Sequence, residues 1–190
     1  MNNRMYCLNC GEEREIDIRE ETESYPVKNE QTVIDAKITY CKYCGEQIWN
    51  EELDDENLKE AYKKYRSIHG LLQPEQIKKI REKYSLTQTA FAKILGLGEK
   101  TITRYENGCI QDAAQNNLIE LAGFPDVFDY LLKKNAKQIS ENDFHNAEEA
   151  LKKYKPVIIM GGKPYSYRTN TGGYCYKNEE KYFGGIMNGR

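Results

Sequence analysis

In the first fifty residues the apolar positions alternate. Ile16 and Ile18, and later Ala36, Ile38 and Tyr40, are separated by charged or polar side chains, the period of a half-buried strand. Tyr25-Pro26 to Asn29 carries turn residues, so the two runs are expected to pair as a hairpin. From Asp54 the period becomes helical. Leu58, Ala61, Tyr62, Tyr65 and Ile68 fall on one stripe, and Gly70 stops it. Pro74 takes the favoured first position of a second helix, with Ile77, Ile80 and Tyr84 on its apolar side and Lys78, Lys79 and Arg81 on the others. Thr87 can cap a third helix, whose apolar residues are Ala90, Phe91, Ile94 and Leu95. Gly96 ends it, where a left-handed residue is wanted. After the turn Gly96-Leu97-Gly98, a fourth helix is expected from Glu99 to about Glu106, with Ile102 and Tyr105 inward and Asn107-Gly108 as its stop.

Further on, Asn117, Leu118, Leu121 and Ala122 continue a helical bundle. Phe124-Pro125-Asp126 starts a helix carrying Val127, Phe128, Leu131 and Leu132. Ser140 to Asp143 has capping-box character for another helix, with Phe144, Ala147, Leu151 and Tyr154 on one face. Residues 155–190 change character. Val157 to Met160, Tyr165 to Tyr167 and Tyr174 to Tyr176 read as short strands between glycine-rich turns. The expected fold is mainly α with a small β zinc ribbon. Its divisions are a four-cysteine ribbon over 1–53, a linker helix over 54–72, a helix-turn-helix domain over 73–135, and a C-terminal helix with a β-patterned, Tyr/Gly-rich extension over 136–190.

Composition sharpens this division. The chain has 190 residues, 28 basic and 30 acidic, for a net charge of −2. Its parts differ: residues 1–60 carry 7 basic and 16 acidic side chains, whereas residues 61–118 carry 10 and 5. An acidic front and a basic middle point to two modules with different partners. No run of about 18 apolar residues exists, which excludes a membrane-spanning helix. The first residues lack the apolar core of a secretory signal, so a cytoplasmic protein is expected.

Six cysteines narrow the chemistry. Cys7-Leu-Asn-Cys10-Gly and Cys41-Lys-Tyr-Cys44-Gly are two C-x-x-C pairs separated by 30 residues. In a reducing compartment such pairs supply four thiolates for one tetrahedral zinc ion. Four thiolates leave no open position, so the metal is expected to be structural. The competing reading, a thioredoxin-like redox pair, needs one C-x-x-C at a helix start within a βαβ unit. Cys109 and Cys175 read as ordinary free thiols, and His69 and His145 are too isolated for a second metal site. With few large apolar groups between residues 1 and 53, the ribbon should depend on metal to fold.

Two short helices joined by a tight glycine turn make a helix-turn-helix. Around Ile102 and Tyr105 the second helix carries Lys100, Thr101, Thr103, Arg104 and Asn107, side chains suited to the major groove. Gln88 and the N–H groups at the start of the preceding helix suit a phosphate. A plain helical hairpin with a solvated polar face is the alternative. Interleaved Tyr and Lys in residues 155–190 suit a nucleic acid, a protein partner or a small meander, and the sequence does not separate these.

Thr87-Gln88, Phe91-Ala92, Leu95-Gly96 and Thr101-Ile-Thr-Arg-Tyr-Glu-Asn-Gly108 resemble the Xre/Cro-type helix-turn-helix. With the upstream pair of C-x-x-C-G motifs, the chain resembles the MqsA-type antitoxins, which join a YgiT-type zinc finger to such a domain. The resemblance covers about residues 5–135. It implies a homodimer that binds a double-stranded DNA operator, represses its own operon and neutralises a cognate toxin through its zinc domain. The sequence departs from the family at Gly98, where many Xre-type chains have a capping Ser, and in its extension beyond residue 135. Two other readings are a zinc-ribbon adaptor that docks its acidic front on a basic protein, and a stand-alone Xre-type repressor. With neither a catalytic constellation nor an open metal position, no enzymatic activity is expected.

Overall fold

The structure is a computed structural model that describes residues 3–154. The strands expected over 155–190, and Cys175, lie outside the described residues. The elements are β1 (Arg4–Cys7), β2 (Glu12–Val27), β3 (Glu30–Cys41), β4 (Gln47–Ile48), α1 (Glu51–Ile68), α2 (Pro74–Glu82), α3 (Gln88–Ile94), α4 (Thr101–Glu106), α5 (Ala113–Ala122), α6 (Pro125–Lys134), a 3-10 turn (Ala136–Gln138) and α7 (Glu141–Lys152). Among the described residues no helix is long and apolar enough to cross a membrane. The small antiparallel sheet followed by helices is the fold class expected from the periodicities.

The strands form a meander in the order β1-β2-β3-β4. β2 and β3 pair from Ile16 opposite Cys41 to Val27 opposite Glu30. The turn is therefore confined to Lys28-Asn29, shorter than the expected Tyr25–Asn29, and Lys28 adopts φ 53° to close it. Pro26 is tolerated because β1 covers β2 only from Glu12 to Glu15, leaving β2 an edge strand beyond.

Helix α1 begins at Glu51, three residues before Asp54, because Asn50 caps it through a bond from the Leu53 N–H. It packs on one face of the hairpin: Val27, Ile34, Ala36 and Ile38 close against Ala61 and Tyr65, with Leu71 and Ile110 at the margin. Asn57 of α1 takes the place of a neighbouring strand. Its side chain accepts from the Lys37 N–H at 2.9 Å and donates to the Lys37 carbonyl at 3.0 Å. Among the described residues no such cover lies on the other hairpin face, so Ile18, on the alternating run, and Val33, outside it, are half exposed. Leu58 and Ile68, placed on the apolar stripe of α1 by spacing, are also exposed because the sheet is too narrow to reach them.

Helices α2 to α7 enclose a second core. Ile77, Phe91, Ile94, Ile102, Ile119, Phe128, Leu132 and Leu151 lie in it. Tyr84 stacks on Phe128 at 3.7 Å, and its hydroxyl donates to the Ala122 carbonyl at 2.9 Å. Thr87 caps α3 through the Ala90 N–H, and Gly96 closes it at φ 68°. Helix α4 starts at Thr101, two residues later than expected, because Gly98 opens a preceding turn closed by the Thr101 N–H on the Gly98 carbonyl at 2.9 Å. In α5 the buried residues are Asn116, Ile119 and Ala122, while Leu121 is half exposed and Asn117 exposed. The helix is thus rotated relative to the stripe read from the sequence. Ser140 caps α7 through the Asp143 N–H, as expected.

Candidate metal centre and nucleic-acid interface

Each C-x-x-C pair lies where a strand ends. Cys7 closes β1 and Cys41 closes β3, and in both knuckles the glycine N–H folds back on the first cysteine: Gly11 to the Cys7 carbonyl and Gly45 to the Cys41 carbonyl, both at 2.9 Å. The chain must turn left-handed to do so. Gly11 and Gly45 have φ 70° and 74°, which glycine adopts without a Cβ penalty. Pairing of β1 with β2 and of β2 with β3, which sets Ile16 opposite Cys41, then brings the knuckles together.

The Sγ atoms of Cys7, Cys10, Cys41 and Cys44 all lie within 4.8 Å of one another. Cys7 and Cys44 are 3.5 Å apart, and Cys10 and Cys41 3.9 Å. A tetrahedron with metal–sulfur bonds of about 2.3 Å has edges of about 3.8 Å, so the donor set fits one four-thiolate ion. Without a cation the thiols compete for charge. Burial, then the neighbouring thiols, push Cys10 up to about 12. The Glu46 N–H, then the Asn9 side chain, hold Cys44 down to about 6. Only a bound cation lets all four ionise together. The small core beneath the site contains two of the four cysteines themselves: Cys7, Ile16, Cys41 and Ile48.

The six residues singled out for DNA gather on α3 and α4. Lys100, Arg104 and Asn107, spaced by four and three, are exposed, while Ile102 and Tyr105 are buried beneath them. Thr101 and Thr103 are half-buried. Gln88 is tied to α4: its amide oxygen accepts from the Thr103 hydroxyl at 2.8 Å, and its amide nitrogen donates to Glu106 Oε2 at 2.7 Å.

Arg81 was legible only as a polar-face residue of α2. It donates through Nε to Glu106 Oε1 at 2.7 Å and through Nη2 to Glu106 Oε2 at 2.9 Å, with Nη1 on the Leu86 carbonyl at 2.7 Å. The pair is nearly dry, at 11% and 5% side-chain exposure. This fork-to-fork contact fixes α4 against α2. The guanidinium comes first and the carboxylate 25 positions later, a separation at which no sequence spacing rule operates. Gln111 and Asn116, also unforeseen, are buried and hold the Leu72 backbone: the Asn116 oxygen accepts from the Leu72 N–H at 2.8 Å, and the Gln111 amide donates to the Leu72 carbonyl at 2.6 Å.

Comparison with known proteins agrees with this arrangement. The family model described as "Antitoxin component of bacterial toxin-antitoxin system, MqsA" matches residues 5–133. The chain is similar to Antitoxin MqsA of Escherichia coli (strain K12), 37% identical over 73 residues. That match covers 38% of this chain and 56% of the relative, so it spans little more than half of the relative's length. A four-cysteine cluster on a small sheet, the helices after it, and a family match over most of the chain lead to one assignment: the chain belongs to the MqsA antitoxin family.

Proposed function

We propose that the chain is a DNA-binding repressor of its own operon and the antitoxin of a type II toxin–antitoxin pair, acting as a homodimer. The observation that carries the DNA reading is the exposed Lys100, Arg104 and Asn107 face of α4, on a helix fixed by the Arg81–Glu106 pair. Arg104 gives a bidentate contact to a guanine, and Lys100 reaches a guanine edge or a phosphate. Thr101, Thr103 and Asn107 read neighbouring base edges. Gln88, whose amide is engaged with Thr103 and Glu106, serves the interface through its backbone N–H at the start of α3. The metal is one structural zinc ion held by Cys7, Cys10, Cys41 and Cys44. The ribbon and the helix α1 that follows it form the toxin-binding side, and residues 73–135 the DNA-binding side. Two half-sites about 34 Å apart match a two-fold dimer.

The test is operator binding by Arg104→Ala. Affinity should fall by about 1–3 kcal/mol, with discrimination lost at one base position, while wild-type binding weakens steeply with salt. Unchanged operator affinity in Arg104→Ala overturns the assignment of α4.

A second reading, an adaptor without DNA, is favoured by the acidic ribbon and by the exposed Leu8, Tyr43 and Trp49 beside its knuckles. Capture of a basic toxin by a full chain that ignores operator DNA would select it.

A further inference from the structure

The loop that leaves α4 is held from the ribbon side. Gly108 ends the helix at φ 99°, and the Cys109 N–H returns to the Arg104 carbonyl at 2.9 Å. Arg66, near the end of α1, is buried and donates through Nη2 to the Gly108 carbonyl. Two residues on, Ile110 packs against the cluster that Val27, Ile34, Ala36 and Ile38 of the hairpin form with Ala61 and Tyr65 of α1. Next to it, Lys28 at the hairpin tip donates through Nζ to the Gln111 carbonyl at 3.0 Å. The tip is in turn held to α1 by Glu30, whose carboxylate lies 2.9 Å from the His69 ring nitrogen. Three attachments, at residues 108, 110 and 111, therefore join the exit of α4 to the hairpin and to the helix α1 seated on it.

We infer that Arg66 and Lys28 are positioning residues for the recognition helix, so that the state of the ribbon sets how well α4 discriminates its operator. A cation on the last carbonyls of a helix complements its dipole. Here that cation comes from α1, the helix whose seat is the β2–β3 hairpin. Anything that shifts the hairpin, such as a protein bound on it or loss of the metal at its base, moves Arg66, Ile110 and Lys28 relative to the helix they hold. By linkage the effect is reciprocal: operator DNA that prefers the held geometry disfavours a partner that needs the hairpin elsewhere. The inference rests on the DNA-binding reading above. It adds that the two modules work as one coupled unit rather than as independent binders on a tether.

The test uses the full metal-loaded chain and three variants: Lys28→Ala at the exposed tip, Arg66→Met, and Arg66→Lys as the conservative rescue. Two readouts are needed. The first is amide hydrogen exchange at residues 107–111, which requires no DNA. The second is the ratio of operator affinity to random-sequence DNA affinity. Lys28→Ala should speed exchange at 107–111 by about fivefold, the worth of one hydrogen bond of about 1 kcal/mol, with the α6 and α7 amides unchanged. The operator-to-random ratio should fall by a similar factor while random-sequence binding stays constant. Arg66→Met should do the same more strongly, and Arg66→Lys should recover part of it. Local exchange and DNA selectivity both unchanged in Lys28→Ala and Arg66→Met would overturn the inference. Exchange that responds in a chain whose wild type shows no operator preference would support the positioning contacts and overturn the DNA reading instead. If Arg66→Met does not fold, Lys28→Ala decides alone.

Discussion

The Arg81–Glu106 pair gives a quantitative expectation. Glu106→Gln keeps the shape of the side chain and opens no cavity, so its effect isolates charge and hydrogen bonding. In the native arrangement both carboxylate oxygens accept: Oε1 from Arg81 Nε, and Oε2 from Arg81 Nη2 and from Gln88 Nε2. A glutamine has one acceptor. Whichever way its amide turns, an NH2 group faces the guanidinium or the guanidinium and the Gln88 donor together. Stranding one member of a buried ion pair costs about 3–5 kcal/mol. Arg81 keeps the Leu86 carbonyl, and Glu82 stands 3.6 Å from its Nη2, so the lower end applies, about 3 kcal/mol. For a structured region of this size that is a fall in Tm of about 6–12 °C. The assay is urea unfolding of the metal-loaded protein, with an unchanged m-value as evidence that the folded state keeps its compactness. In the double variant Arg81→Met/Glu106→Leu much of the loss should return, with a coupling energy of about 2 kcal/mol. A loss below about 1 kcal/mol in Glu106→Gln would mean that the pair is solvated in solution, and the clamp argument would fail.

Three other outcomes follow from the same geometry. Removing the metal with a chelator, or Cys41→Ser, should abolish the β signal in far-ultraviolet circular dichroism while the helical signal persists, because Cys41 belongs both to the four-thiol cluster and to the ribbon's core; a full β signal in the stripped protein would contradict this. Gly96→Ala meets no atom within 4 Å, so its cost is backbone strain alone at φ +68°, about 1–2 kcal/mol by chemical denaturation. Phe128→Ala removes a fully buried ring stacked on Tyr84 and should cost about 3–5 kcal/mol on the same measurement.

The parts of the fold that were legible from the sequence are those governed by local rules. Thr87 as a cap, Gly96 as a left-handed stop and Gly11 and Gly45 in the knuckles follow from what a backbone conformation demands of one residue. The cysteine pairs are legible because a tetrahedral ion requires that spacing. The misreadings concern which faces are covered. Ile18 and Ile68 carry the right period, yet burial depends on where α1 lies and how far the sheet extends, which no local period encodes. The same holds for α5, where the polar Asn116 is turned inward to serve the Leu72 backbone and Leu121 is turned out. Arg81 reads as one of several polar-face residues of α2 and Glu106 as the end of α4, while Arg66 and Gln111 carry no local signal. Each is spent on a partner distant in sequence, and only the packed structure identifies it.

The open edge of β2 has a consequence for how the protein behaves before it is complete. Past the stretch that β1 covers, β2 continues from Ile16 to Val27 with β3 as its only strand partner among the described residues. An uncovered strand of that length is a template for a second chain, and a ribbon with so small a core is most vulnerable while it waits for its metal. Asp17, Glu20, Glu21 and Glu23 lie along that edge. Two such edges approaching each other meet with like charge at close range, so pairing between copies is opposed even when the knuckles are empty. The acidity of the ribbon thus acts as a guard along this one edge: it opposes strand pairing with the same edge of another copy.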